Sequence, residues 1–239
     1  MLKIGVIGFG SRIRDVYNKI YATGEAKVVA VMDVDVDAAK KRAEEKGYTD
    51  IKYYTDADEM LTSEKLDGVM IGTRCSLHTH YALLVAKYNL PIFLEKPVCI
   101  TEEEIEKLET ILHLNDKIVV SFPLRLTMLI DKVKELVDSG KIGTIEHIQA
   151  YNNVPYARGY YHQWYRDDKE TGGLFIQKAT HDFDYINYLL GDNYPVRICA
   201  VTSKQVFKGN EPAGKKCSEC EKAESCPESP KNVMKNGDG

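Results

Sequence analysis

A doubly wound α/β fold with a parallel sheet is predicted by three features of the sequence. Short β-branched runs recur without polar alternation, a glycine turn follows the first of them, and helical patterns separate each run from the next. The runs are Leu2 to Ile7, Lys27 to Met32, Asp67 to Thr73, Ile92 to Leu94 and Lys117 to Ser121. Such unbroken apolar runs suit strands that helices cover on both faces.

At 239 residues the chain is long enough for two modest domains. A net charge of -4 with both signs interspersed leaves no basic stripe, which argues against nucleic acid as a partner. No apolar run has the length that crosses a bilayer. Met1-Leu2-Lys3-Ile4 leads straight into a strand without a charged n-region and h-region, so a non-secreted, cytoplasmic chain is expected. Its six cysteines are then thiols or metal ligands before they are disulfides.

The first run enters Gly8-Phe9-Gly10-Ser11-Arg12-Ile13, and a helical pattern resumes through Val16, Ile20 and Tyr21. Gly8 permits a tight turn, and Gly10 lets backbone approach a pyrophosphate, favoured by the amides and dipole of the helix start. Ile13 stands where the dinucleotide fingerprint has its third glycine, so a slightly displaced helix is expected. Two glycines alone are weak evidence. Asp33 strengthens them: it closes the second run at the spacing of roughly 20 residues where an acid hydrogen-bonds the adenosine ribose. A carboxylate there repels a 2′-phosphate, and Val34 follows where an arginine or serine would receive one, so NAD is expected over NADP. The competing reading of Asp33 is a cap for a helix from Val36 to Lys46.

The third run leads into a loop, Thr73-Arg74-Cys75-Ser76, placed to touch the nicotinamide half of a dinucleotide, and a helix carrying His78 and His80. Two apart on a helix, these histidines face different ways and cannot pair, so they read as helix-start or packing residues without a catalytic role. The fourth run ends in Glu95-Lys96-Pro97-Val98, at a strand's carboxyl end, where open α/β sheets bind ligands. Proline ends the ladder and sets a turn, cis or trans, that aims the Lys96 amine into the crevice, with Glu95 to neutralise or orient it. The bland reading is a solvated salt bridge. Thr101-Glu102-Glu103-Glu104 is a capping box for a helix with Ile105, Leu108, Ile111 and Leu112 on one face.

Together these residues resemble the Gfo/Idh/MocA family of nicotinamide-dependent sugar and polyol oxidoreductases. The marks are the glycine turn, Asp33, the Thr73 loop with His78, and above all Glu95-Lys96-Pro97 ahead of a capped helix. The resemblance implies an NAD-binding Rossmann domain over residues 1–122, with Gly8, Phe9, Gly10, Ser11, Arg12, Asp33, Thr73, His78, Glu95 and Lys96 along the cofactor. It places Lys96 in the proton-transfer apparatus. It also implies an α+β substrate and oligomerisation domain, here 123–207, with Arg125 facing the cleft as a substrate contact. A surface ion pair is the other reading of Arg125.

In the second half, Leu129 to Ser139 reads as an amphipathic helix and Ile145 to Asn153 as the domain's first strand. Asn153 to Asp168 is a loop rich in Tyr156, Tyr160, Tyr161, His162, Trp164 and Tyr165, with Arg158 and Arg166. Aromatics there either line a sugar pocket or pack the loop onto its own domain. Gly172-Gly173 opens a helix anchored by Leu174, Ile186, Leu189 and Leu190 and stopped by Gly191. Gln177 and His181 share a face of it. The resemblance puts the family's catalytic histidine at His181, with Gln177 where an aspartate is common; glutamine holds a hydroxyl but accepts no proton. His181 is expected to titrate near neutrality, and Lys178 to point elsewhere.

From Val196 a strand-like stretch runs to Phe207, and residues 208–239 turn polar. Cys217, Cys220 and Cys226, spaced C-x2-C-x5-C, are read as reduced thiols, with zinc or, less well, an iron-sulfur cluster as the alternative. The segment has no histidine for a fourth ligand, and no metal site is assigned. The family continues through further strands where this sequence stops, so an incomplete second domain is expected, with fragment, truncated product and abbreviated member all open.

The expected activity is hydride transfer between NAD and a sugar, polyol or related hydroxy compound, with Lys96, with or without His181, taking the proton and Gln177 positioning the hydroxyl. Two rivals stand beside it: an NAD-dependent glycosidase of the same family, and a dinucleotide-binding sensor or scaffold without catalysis. Homo-oligomerisation is left open.

Overall fold

The computed structural model describes residues 1–154, 160, 164–203, 212, 215–226, 229–230 and 232. One parallel sheet dominates it, with β1 (Leu2–Ile7), β2 (Ala26–Met32), β3 (Lys52–Tyr54), β4 (Gly68–Ile71), β5 (Ile92–Leu94) and β6 (Ile118–Val120) in the order β3-β2-β1-β4-β5-β6. Strand order reverses between β1 and β4, and the ligand crevice of such a sheet opens above their carboxyl ends. Every strand but β3 coincides with a run read from the sequence. β3 is three residues at the sheet edge, a lysine and two tyrosines, so it leaves no aliphatic run.

Helices α1 (Ser11–Thr23), α2 (Val36–Glu44), α3 (Ala57–Ser63), α4 (His78–Ala86) and α5 (Glu102–Glu109) cover the two faces. Alternation along the strands divides the core accordingly. Ile7, Met32, Ile71 and Leu94 pack with Met60 and Val85 on one side; Val6, Val31 and Met70 pack with Phe9, Ile13 and Tyr17 on the other. The cap of α2 is Asp35, which accepts from the Ala38 amide, so Asp33 is not the cap. Thr101 caps α5 through the Glu104 amide, while Glu104 reaches back to the Ile100 amide at 2.7 Å. That helix ends before Ile111. Leu108 and Ile111 pack on the sheet, whereas Ile105 and Leu112 stay exposed, so the expected single apolar face is split.

Ile13, at the position of the missing third glycine, is fully buried. Its space comes from the strand side. A Cβ on Gly72, just past β4, would stand 1.8 Å from Ile13 Cγ1 and 2.8 Å from Cδ1. The close helix-to-strand approach that a helix glycine normally permits is here made by a strand-end glycine.

The second half contributes a 3-10 turn (Pro123–Leu126), α6 (Met128–Asp138), α7 (Asp168–Thr171) and α8 (Gly173–Leu190). Gly172, with φ 70°, opens α8 against the segment after β5: a Cβ there would lie 2.9 Å from Ile100 Cβ. The strand expected at Ile145 to Asn153 is not formed, nor is one found in the described part of the stretch from Val196. A strand exists only as one side of a ladder, and among the described residues neither segment has a partner. Tyr151, Val196, Ile198 and Val201 are accordingly exposed. Among the described residues no helix is long and apolar enough to cross a membrane.

The Ile13 and Gly72 contact predicts a paired response. Gly72→Ala should destabilise by about 1–3 kcal/mol through overpacking, read as a lower denaturation midpoint. Adding Ile13→Ala should recover part of the loss, since the second change removes the atoms struck.

Candidate active site

The glycine turn is held open by Asp33. One carboxylate oxygen accepts from the Phe9 amide at 2.8 Å and the other from the Asp35 amide at 3.0 Å. Gly8 has φ 82°, and a Cβ on it would meet Thr73 N and Cγ2 at 2.9 Å. Above Gly10 there is room: the nearest atom to an added Cβ is Gly72 O at 3.7 Å. Helix α1 starts with no side-chain cap and no acid in its first turn, and Ser11 and Arg12 are exposed. Uncapped amides, a positive dipole end and an open backbone are what a pyrophosphate requires, so these residues fit a dinucleotide. The Phe9 ring is buried core, so its part is to shape the turn.

Beyond β5, the Lys96–Pro97 peptide is cis. The carbonyl of Pro97 lies 2.6 Å from His78 Nδ1, which therefore carries the proton and donates. Burial lowers the pKa of His78 and leaves Nε2 without a partner. His80, two residues on, is exposed. Glu95 is buried, and burial raises its carboxyl pKa against a hydrogen bond from Ser121; its Oε1 has no hydrogen-bond partner. Lys96 is half-buried and donates from Nζ to the backbone carbonyl of Gln177 at 2.7 Å, across to α8. Burial brings its pKa down to about 8, with the Lys178 and Arg12 charges adding to the drop and Cys75 and Glu95 opposing it.

Helix α8 turns a polar stripe inward: Gln177, His181 and Asp184 are its buried residues. Asp184 receives Arg125 in a two-pronged pair, Nε to Oδ2 at 3.0 Å and Nη2 to Oδ1. Arg125 also lies over the Tyr188 ring at 5.2 Å, so two of its nitrogens and its face are engaged by α8. His181 packs edge-on to Phe122, and its Nδ1 has no hydrogen-bond partner. Its expected titration near neutrality is corrected: burial, then Lys96, Lys178 and Arg12, bring its pKa down to about 4. His181 is thus a neutral imidazole at pH 7. Gln177 is 5% exposed and its Oε1 is unpartnered. Lys178, expected to point away, bears on both Lys96 and His181 through its charge, and its amine lies 5.5 Å from the Tyr160 ring centre.

Some contacts of this site are not legible in the sequence. Cys75 is buried close enough to Lys96 to affect it, and Ser76 donates to Glu170 at 2.8 Å, tying the Thr73 loop to α7. Asp184 was legible as the third member of an i, i+4, i+7 polar stripe on an otherwise apolar helix. Trp164 stacks on Tyr165 and carries Arg74 at 3.9 Å over its ring, so these aromatics pack the loop against the segment after β4. Tyr156, Arg158, Tyr161 and His162 lie outside the described residues, as does most of 204–239. Cys217, Cys220 and Cys226 are free, and among the described residues no three His, Cys, Asp or Glu side chains converge as metal ligands.

Residues 2–122 match an oxidoreductase family with an NAD-binding Rossmann fold, and residues 130–218 match the Gfo/Idh/MocA C-terminal domain. Inositol 2-dehydrogenase of Rhizobium meliloti is 28% identical over 215 residues, 89% of this chain and 62% of that protein. Myo-inositol 2-dehydrogenase of Thermotoga maritima is 26% identical over 195 residues, 80% of this chain and 55% of its own length. The chain thus spans roughly half to three-fifths of these relatives. Scyllo-inositol dehydrogenase from Lactobacillus casei, solved with NAD(H) and scyllo-inositol, superposes with a TM-score of 0.67 at 28% identity, covering 79% of this chain and 56% of that one.

The Arg125–Asp184 pair is unequally buried, with side-chain exposures of 40% and 6%. Arg125→Met leaves a buried carboxylate alone and should cost about 2 kcal/mol or more. Asp184→Asn leaves an arginine that reaches water and should cost less. Denaturant titrations of the two variants check this order.

Proposed function

The chain belongs to the Gfo/Idh/MocA oxidoreductase family, and from that premise we propose that it transfers hydride between NAD and a hydroxyl-bearing sugar or polyol, with Lys96 as the proton-transfer group. One observation carries the reading: the Lys96 amine lies between the two halves of the molecule, 2.7 Å from the Gln177 carbonyl of α8, rather than in bulk solvent. Bound NAD supplies the hydride acceptor or donor. Everything else is the work of side chains.

A general base must be free of its proton near the working pH. Lys96, at about 8, meets this on the alkaline side of neutrality. His181, at about 4, stays uncharged throughout that range and serves as a hydrogen-bonding partner for a substrate hydroxyl. Gln177 Oε1, buried and unpartnered, is a second acceptor for such hydroxyls. The inositols named for the relatives are polyols of the kind these acceptors suit. Asp33 faces the adenosine ribose in this reading and selects against a 2′-phosphate.

Lys96→Ala should lower turnover about 10²- to 10⁴-fold while NAD affinity holds. In the unchanged protein, kcat/KM for alcohol oxidation should rise with pH through about 8, as Lys96 loses its proton, without an inflection at an ordinary histidine value. A profile breaking near 6.5 would assign the proton to an unshifted histidine instead. Cofactor titrations should give tighter binding of NAD than NADP, and the reverse order would remove Asp33 from the ribose.

A further inference from the structure

We propose that the substrate carries an anionic group, a carboxylate on a polyhydroxylated carbon chain, and that Lys178 is the cation that receives it. The proposal rests on the site read above and adds the class of compound. Lys178 follows Gln177 on α8, is half-buried, and stands near enough to Lys96 and His181 for its charge to act on both. Its amine lies 5.5 Å from the Tyr160 ring centre, and among the described residues no carboxylate stands within ion-pair distance of it.

The acids near the cleft are otherwise engaged. Asp184 binds Arg125, Glu170 accepts from Ser76, Asp182 accepts from Asn152 at 2.7 Å, and both oxygens of Asp33 hold backbone amides. Glu95 is buried under Ser121, where burial favours its neutral form. These carboxylates hold neutral donors or Arg125, and among the described residues none of them is an ion-pair partner of Lys178. Arg12, at the start of α1, belongs beside the pyrophosphate, and Lys96 is engaged by the reacting hydroxyl. Lys178 is the cation left for substrate.

A second, independent feature points to the same ligand. Gln177 Oε1 and His181 Nδ1 are buried atoms with no partner, on the same helix as that amine. An open amide oxygen and an imidazole nitrogen that donates or accepts with its tautomer call for a hydroxyl, which does both, and an adjacent ammonium without a carboxylate partner among the described residues calls for negative charge. One ammonium balances the single charge of a carboxylate, whereas a phosphate ester brings close to two. An aldonate or uronate satisfies both demands.

The test is equilibrium binding to the 239-residue chain saturated with NADH, comparing sorbitol with gluconate, which differ at one terminal carbon, and adding glucuronate and glucose 6-phosphate. The expected result is gluconate or glucuronate binding about tenfold or more tighter than sorbitol. That preference should be lost in Lys178→Gln and restored in Lys178→Arg, with NADH affinity retained in both as a check on folding. Equal binding of acid and sorbitol, absence of binding by both, or an acid preference that survives Lys178→Gln would overturn the proposal; preference for the phosphate ester would overturn the carboxylate. Acid binding that depends on Lys178 but yields no NADH on incubation with NAD would sink the oxidoreductase reading and leave this one standing. Oxidation of sorbitol without any acid preference would do the opposite.

Discussion

The hydrogen bond from Lys96 to the Gln177 carbonyl is the contact on which the site depends. Either partner alone is ordinary: a lysine after a strand, a carbonyl within a helix. Joined, they bring the carboxyl end of β5 against α8 and draw a cation out of water. That loss of solvent brings the amine within reach of deprotonation near neutrality. The His78 contact to the Pro97 carbonyl and the close seating of Gly172 on Ile100 hold the same joint from either side.

Helix α8 reverses the usual amphipathic arrangement. Its inward residues are Gln177, His181 and Asp184, while Phe175 and Phe183 are exposed and meet edge-to-face on the outside. Burying a polar stripe is costly unless each group finds a partner. Asp184 finds Arg125, whereas Gln177 Oε1 and His181 Nδ1 are left without a partner. One helix thus carries both kinds of buried polar group: its later turn is fastened to the 3-10 turn Pro123–Leu126, and its earlier turns hold the open atoms.

Much of this was legible in the amino acids because the first half obeys local rules. Unbroken β-branched runs announce buried parallel strands, and glycines, acid and the Glu-Lys-Pro turn fall at their carboxyl ends. What escaped did so for physical reasons. β3 is Lys52-Tyr53-Tyr54, without the aliphatic residues that mark the equally short β5 and β6. The accommodation of Ile13 depends on Gly72, distant in sequence, and no local reading pairs them. The depressed pKa of His181 is set by burial and three cations from separate segments, which spacing along a helix does not reveal. The β-prone residues of the second half met the opposite problem: their composition suggests strands, but a ladder needs a neighbouring strand, and none is present among the described residues.

The carboxylate of Asp33 does two things through one side chain. Its oxygens fasten the Phe9 amide and the Asp35 amide, and so tie the glycine turn to the entry of α2. In the function proposed above, choice of cofactor and shape of the loop rest on the same atoms. Exchanging that acid therefore alters the acceptors that fasten the turn together with the surface offered to a ribose.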